Sequence, residues 1–212
     1  MIVTLDGPGG TGKSTVSRLV AKRAGLPHLD TGAYYRAVTL AVVAAGVEPS
    51  DPEHVTRIAE RLSLSQEGGR MYLDGRDVSV EIRSDPVTAA VSAVSAHPLV
   101  RHHLVGLQRE WIERHGRRAV VEGRDIGSVV APDAEVKVFL DATPEVRARR
   151  RALEIGEEER VVLADLNRRD QFDSTRSASP LVVPEGAVIL DTSELTLDQV
   201  VGRVLELIDA KS

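Results

Sequence analysis

The chain of 212 residues contains no cysteine, which excludes a disulfide framework and a thiolate zinc site. It also lacks any apolar run near the roughly 18 residues that a membrane-spanning helix requires. Its first residues, Met1-Ile2-Val3-Thr4-Leu5-Asp6, lack the basic region of a signal peptide and already predict a strand. These absences favour a cytoplasmic protein without a membrane partner.

Lysine is scarce, and arginine carries most of the positive charge. The lysines are Lys13, Lys22, Lys137 and Lys211. The net charge of -5 argues against broad nucleic-acid binding, so no nucleic acid is expected as a partner. With 42% hydrophobic and 28% charged residues, the composition is that of one globular domain with a full core.

One glycine-rich stretch matches the phosphate-binding pattern G-x-x-x-x-G-K-[ST] without a mismatch. Its residues are Gly7, Pro8, Gly9, Gly10, Thr11, Gly12, Lys13 and Ser14. A β-rich run at 2–5 precedes it, and helical apolar spacing over 14–24 follows it. In this context backbone N–H groups and a helix dipole bind phosphate. We expect Lys13 to reach the β- and γ-phosphates of ATP and Ser14 to ligate Mg²⁺, with Thr15 completing the ATP site.

The rest of the chain alternates apolar strands with helices, which indicates a parallel sheet covered on both faces. Strands are predicted at 119–121, 136–140 and 187–190, and one of the helices is predicted over 34–45. Between them, residues 63–80 predict two or three short antiparallel strands.

A glycine loop of this kind indicates that the protein binds a nucleotide. Other motifs are needed to decide which class of nucleotide-binding protein it is. The chain lacks the N-K-x-D motif with which GTPases read their base, and it is too small for an ATPase motor. The six histidines show no metal-binding spacing such as H-E-x-x-H. A kinase that acts on a small acceptor remains.

Arginines on separate segments suit an acceptor that already carries a phosphate, because guanidinium groups bind phosphate in a bidentate manner. They are Arg36, Arg83, Arg101, Arg124, Arg169 and Arg176. Each one taken alone is also compatible with a surface ion pair. Arg147, Arg150 and Arg151 share one helix face, which fits either a solvated ion-paired surface or a lid over the transferring phosphoryl group.

Five segments resemble bacterial cytidylate (CMP/dCMP) kinases, in the same order and across nearly the whole chain. They are the glycine loop, Leu29-Asp30-Thr31-Gly32-Ala33-Tyr34-Tyr35-Arg36, Glu81-Ile82-Arg83-Ser84, Glu122-Gly123-Arg124-Asp125-Ile126-Gly127 and Ser179-Pro180-Leu181. The second and fourth segments are far more specific than the glycine loop, which many ATP-binding proteins share.

The resemblance implies an α/β P-loop kinase fold, with a five-stranded parallel sheet, a small antiparallel β insert and a short helical lid. It implies one domain over 1–212, with an acceptor-binding region at 62–96 and a lid at 147–165. The activity implied is Mg²⁺-dependent transfer of the ATP γ-phosphoryl group to CMP or dCMP. The sequence has no exposed apolar stripe that would require a partner, which favours a monomer.

The resemblance also assigns roles to matching positions. Ser92, Arg101 and Asp125 would read the cytosine edge. The acceptor phosphate would be bound by Thr31, Arg36, Arg124 and Arg176, and the sugar by Arg169 and Asp173. Lys13, Arg124 and the three lid arginines would stabilise charge during transfer.

Two features depart from the family pattern, namely Glu122 and the stretch Asp170-Gln171-Phe172-Asp173, which is less charged than in similar family members. Aspartate usually stands where this chain has Glu122, which leaves the carboxylate near the metal open among Asp30, Glu122 and Asp141. Two alternative functions also stay open. Another small P-loop kinase, for uridylate, adenylate, shikimate or dephospho-coenzyme A, is the rival within the class. A nucleotide-binding regulator without turnover is the rival outside it.

Overall fold

The computed structural model describes residues 1–175 and 178–211, and its strands form two sheets. The strands are β1 (Ile2–Asp6), β2 (His28–Asp30), β3 (Leu64–Glu67), β4 (Arg70–Leu73), β5 (Arg76–Asp77), β6 (Ala119–Glu122), β7 (Val136–Asp141) and β8 (Val188–Asp191). The larger sheet has the order β2-β6-β1-β7-β8, and the smaller antiparallel sheet has the order β3-β4-β5. The α/β fold and the antiparallel insert are therefore confirmed.

Helices connect these strands. They are α1 (Lys13–Ala24), α2 (Thr31–Ala44), α3 (Pro52–Arg61), α4 (Asp85–Val94), α5 (Pro98–Arg114), α6 (Pro144–Ile155), α7 (Glu159–Thr175) and α8 (Leu197–Asp209). Among the described residues, none of them has both the length and the apolar character that crossing a bilayer requires.

The strand β1 is central to the larger sheet, and every one of its residues is buried. It pairs in parallel with β6 on one side and with β7 on the other, so that Leu5 is in register with Glu122 and Val138. Parallel pairing brings the carboxyl ends of these strands to the same edge. Ligands bind at that edge in open α/β sheets.

One core cluster of this sheet is made of aliphatic side chains. Val3 and Leu140 from the sheet form one cluster with Val20 of α1 and with Val201 and Val204 of α8. Burying a side chain of this kind contributes about 1.5–3 kcal/mol to the free energy of folding. The core thereby fixes α1, and with it the loop that precedes α1, against the sheet.

The chain divides into two compact units. One comprises Met1–His28 and the chain from Ile112 onward, and the other comprises Leu29–Trp111. The first unit contains the glycine loop and the four strands β1, β6, β7 and β8. The second unit contains α2, α3, α4 and the small antiparallel sheet.

Two local features differ from the sequence-based expectation. The helix predicted over 34–45 begins at Thr31 instead, because the Asp30 side chain accepts a hydrogen bond from the Ala33 amide and caps it. A π-helical turn, Ile126–Val130, follows β6 and was not predicted. Such turns are rare and occur frequently at functional sites.

The first amides of this π-helical turn are capped by a side chain from β1. The Asp6 carboxylate accepts hydrogen bonds from the Ile126 amide at 2.7 Å and from the Gly127 amide at 2.8 Å. Burial raises the pKa of Asp6 to about 6, although these two hydrogen bonds oppose the shift. The carboxylate joins the end of β1 to the turn after β6.

Substitution Asp6→Asn tests this titration. Asp6 has a higher pKa in the folded protein than in the unfolded chain. Ionisation of its carboxylate therefore lowers the free energy of unfolding, and protonation at acidic pH restores it. Relative to Asp6→Asn, the free energy of unfolding of the unmodified protein should rise by about 2 kcal/mol between about pH 7.5 and about pH 4.5. Urea titrations of both proteins at the two pH values measure their free energies of unfolding. A difference between the proteins that does not change with pH would contradict the prediction.

Candidate active site

The glycine loop begins where β1 ends, and its first glycine is required by a close approach to β7. Gly7 has a φ of +142°, and a β-carbon there would lie 2.1 Å from the carbonyl oxygen of Leu140. No side chain fits at that distance. The loop can therefore leave the sheet in this direction only with glycine at position 7.

The loop ends at the N-terminus of α1, which has no side-chain cap. Gly12 is the N-cap residue, in a left-handed conformation with a φ of +84°. The first amides of a helix have no intrahelical acceptor, and here no cap side chain satisfies them. This is the arrangement that binds phosphate at a helix N-terminus.

Lys13 folds back over the loop. Its Nζ donates a hydrogen bond to the Pro8 carbonyl at 2.6 Å, and the Thr11 hydroxyl donates to the same oxygen at 3.1 Å. Removal of the ammonium from water lowers the pKa of Lys13 to about 7, and the nearby Arg124 cation lowers it further. A bound anion would raise this pKa and so favour the charged form of Lys13.

Arg147 of α6 lies against the same loop. It is buried, and its guanidinium donates to the carbonyls of Ala142 at 3.1 Å and Gly9 at 3.0 Å. It also forms an ion pair with Asp170 of α7. Of the three lid arginines predicted from the sequence, this one contacts the glycine loop.

The other two predicted lid arginines, Arg150 and Arg151, are engaged elsewhere. Arg150 donates to the Thr192 carbonyl at 2.6 Å and to its hydroxyl at 3.0 Å, which ties α6 to the segment after β8. Arg151 forms an ion pair with Glu154 at 2.7 Å. Their predicted roles around ATP phosphates remain predictions.

The segment after β6 brings two further predicted residues close to the loop. Arg124 forms an ion pair with Asp173 of α7, and Asp125 is buried immediately before the π-helical turn. Arg124 also lies near enough to Lys13 to depress its pKa. The two cations are thus held in the same region.

Arg169 of α7 is half-buried. Burial lowers its pKa, and the neighbouring cations Arg151 and Arg168 act in the same direction. Such a site gains electrostatic stability when it takes up an anion. Arg176, also predicted to bind the acceptor phosphate, lies outside the described residues.

In the second unit, Thr31 and Arg36 lie on α2. Thr31 is buried at the first helical position, and Arg36 donates to the Ile82 carbonyl at 3.1 Å and to the Thr88 hydroxyl at 3.0 Å. Because Thr88 belongs to α4, Arg36 joins two helices that both carry predicted acceptor ligands.

The predicted base-reading residues of this unit lie on α4 and α5. Arg101 is buried, donates to the Ser95 carbonyl at 3.0 Å and lies 5.0 Å from the centre of the Tyr35 ring. The ring face stabilises the guanidinium and limits its orientations. Ser92 is half-buried on the last turn of α4.

Sequence reasoning missed several residues that hold the site. Asp6, Asp170, Thr192 and Tyr35 contact residues proposed to bind substrate or the turn that carries them. Asp170 could have been found, since it precedes Asp173 by three residues on a helix and so shares its face. Thr192 gave no signal, because nothing in the sequence relates it to Arg150.

Comparison with solved structures shows the fold. The chain is 16% identical to a sugar kinase from Janibacter sp. HTCC2649, with a TM-score of 0.52 over 98% of this chain and 94% of that one. It is 15% identical to the shikimate kinase from Bacteroides thetaiotaomicron, with a TM-score of 0.50 over 99% and 98%. These likenesses confirm a P-loop kinase fold.

Comparison with known sequences identifies the family. Residues 3–210 match the profile of the cytidylate kinase family. The chain is 51% identical over 221 residues to a cytidylate kinase from Mycolicibacterium paratuberculosis, which covers 100% of this chain and 96% of that protein. It is 46% identical over 211 residues to one from Caldanaerobacter subterraneus subsp. tengcongensis, covering 97% and 93%. The chain belongs to the cytidylate kinase family.

Proposed function

We propose that this protein transfers the γ-phosphoryl group of ATP to CMP or dCMP, giving ADP and CDP or dCDP. The observation that carries the proposal is the glycine loop, with Lys13 folded over it, in a chain that belongs to the cytidylate kinase family over nearly its whole length. The glycine loop indicates the binding site for the phosphoryl donor. Membership of the family indicates that the acceptor is a cytidine monophosphate.

On the donor side, the uncapped N-terminus of α1 and the loop amides would bind the β- and γ-phosphates. Lys13 would exchange its hydrogen bond with Pro8 for phosphate oxygens and regain a full charge. Arg147 already contacts the loop through Gly9, so it would act on the same phosphates with little movement of its backbone.

Mg²⁺ fits this site through oxygen ligands. The described residues contain no group of three His, Cys, Asp or Glu side chains that could hold a metal by themselves, and Mg²⁺ in kinases is bound largely through substrate phosphates and waters. Ser14, half-buried on the first turn of α1, offers a hydroxyl oxygen, and the buried Glu122 carboxylate lies near enough to Lys13 to influence its pKa. The ion, when bound, would neutralise charge on the β- and γ-phosphate oxygens.

On the acceptor side, we assign the CMP phosphate to Thr31, Arg36, Arg124 and Arg176, the base to Ser92, Arg101 and Asp125, and the sugar to Arg169 and Asp173. Carboxylates now partner two of the cations: Asp173 partners Arg124, and Asp170 partners Arg147. Substrate phosphates would compete with these carboxylates for the guanidinium groups. An exchange of this kind would free Asp173 to accept from a sugar hydroxyl.

The transfer itself needs positioning and charge neutralisation. The nucleophile is a phosphate oxygen of the acceptor, which is already anionic near neutral pH, so no general base is required. It would attack the γ-phosphorus in line, and the bond to the β-phosphate oxygen would break. Lys13 and the arginines would stabilise the charge on the transferring group.

The assignments of 62–96 to acceptor binding and of 147–165 to a lid remain predictions, as do the monomeric state and the cytoplasmic location.

A substrate panel tests the function. With ATP and Mg²⁺, a coupled assay of ADP release should give fast turnover with CMP and dCMP, slow turnover with UMP, and none with AMP, GMP or shikimate. Turnover with a purine nucleotide or with shikimate alone would leave a P-loop kinase with a different acceptor. ATP binding without turnover on any acceptor would favour the regulator.

Substitution Asp125→Ala tests the base assignment. A carboxylate that accepts from the exocyclic amine of cytosine distinguishes it from uracil, and such a contact discriminates between bases by about 10- to 100-fold. The ratio of kcat/KM for CMP to that for UMP should fall by about this factor. Asp133→Ala removes an exposed carboxylate of the same unit and serves as the control. An unchanged ratio in Asp125→Ala would contradict the assignment.

Proton uptake on ATP binding tests the protonation state of Lys13. With a pKa of about 7, Lys13 is largely neutral at about pH 8.5, and bound polyphosphate should restore its proton. Calorimetry of ATP binding in two buffers of different ionisation enthalpy should show uptake approaching one proton. Lys13→Arg, whose guanidinium is always protonated, should show none. Equal uptake in both proteins would show that another group titrates.

A further inference from the structure

The backbone where β2 meets α2 is held by a side chain of the antiparallel insert. Gln66 lies in β3 and is 3% exposed. Its Oε1 accepts a hydrogen bond from the Asp30 amide at 2.8 Å, and its Nε2 donates to the Asp30 carbonyl at 3.3 Å. One side-chain amide therefore satisfies both backbone groups of one residue, as a neighbouring strand would.

Gln66 is itself fixed in place. Its backbone carbonyl accepts a hydrogen bond from the indole nitrogen of Trp111 at 2.9 Å, and in the small sheet it is in register with the buried Met71. A buried glutamine held at both its backbone and its side chain has little rotational freedom. It can therefore transmit the position of the insert to Asp30.

Asp30 in turn determines where α2 begins. Its carboxylate caps the helix through the Ala33 amide at 3.1 Å and contacts Arg83 at 3.3 Å. The next residue, Thr31, is the first of α2, and Arg36 follows within two turns. Any shift of the Asp30 backbone displaces the N-terminal end of the helix that carries both residues.

We propose that Gln66 is a positioning residue for the acceptor: by holding the Asp30 backbone, it sets the start of α2 and places Thr31 and Arg36 for the phosphate of the nucleoside monophosphate. This inference rests on the proposed function of Thr31 and Arg36. It gives the antiparallel insert a specific role, which is to orient an acceptor helix through one buried amide.

Substitution Gln66→Met tests the proposal, because methionine has a similar length and cannot replace either hydrogen bond. The KM for CMP should rise about tenfold, while the KM for ATP changes less than about twofold. Glu67→Gln, an exposed neighbour in the same strand, is the matched control and should leave both constants unchanged. An equal loss for both substrates, or a lower melting temperature with unchanged KM values, would overturn the proposal.

A double-mutant cycle separates positioning from general destabilisation. If Gln66 acts through the start of α2, Gln66→Met combined with Thr31→Val should cost clearly less in kcat/KM for CMP than the product of the two single effects. Effects that simply multiply would show that Gln66 acts independently of Thr31. If Gln66→Met does not fold, Gln66→Asn, whose amide is one methylene too short to reach the same atoms, takes its place.

The substitution Arg36→Ala separates a failure of the proposed acceptor site from a failure of the proposed role of Gln66. If Arg36→Ala leaves the KM for CMP unchanged, the proposed acceptor site is wrong. If Arg36→Ala raises that KM and Gln66→Met does not, the site stands and the role of Gln66 is refuted.

Discussion

The carboxylate of Asp6 is the contact on which the unit that contains the glycine loop depends. It lies at the end of the central strand, directly before the glycine loop, and accepts the two amides that open the π-helical turn after β6. A π-helical turn of five residues has few hydrogen bonds of its own, so its first amides need an external acceptor. The same carboxylate thus ties the end of the strand from which the glycine loop leaves to the turn that follows Arg124 and Asp125.

Several cations lie in this unit of the protein, and each is held by hydrogen bonds or ion pairs. Lys13 is held over the loop with a lowered pKa, while Arg124 and Arg147 are paired with carboxylates of α7. Cations kept without partners in a partly buried site would repel one another and destabilise the fold. The carboxylates of Asp173 and Asp170 prevent this repulsion. In the reaction proposed above, substrate phosphates would take their place.

Much of the fold followed from local pattern. Apolar strands alternating with helices predicted the parallel sheet, and the glycines within 63–80 predicted the antiparallel insert. The start of α2 was misplaced by three residues because a cap depends on the Asp30 side chain turning back onto its own helix. The π-helical turn was missed for a stronger reason, since its acceptor lies far away in sequence, on β1.

The sequence by itself determined the glycine loop, the family and the identity of the charged residues proposed for the site, because these depend on residue type and spacing. Tertiary structure decided how those charges are partnered. Arg147 and Arg150 are three residues apart on one helix, yet the first donates to the glycine loop and the second to Thr192. Helical spacing places two side chains on one face, but it cannot specify which neighbours that face meets. Those neighbours come from segments distant in sequence, and only the packing of the sheet and its helices brings them together.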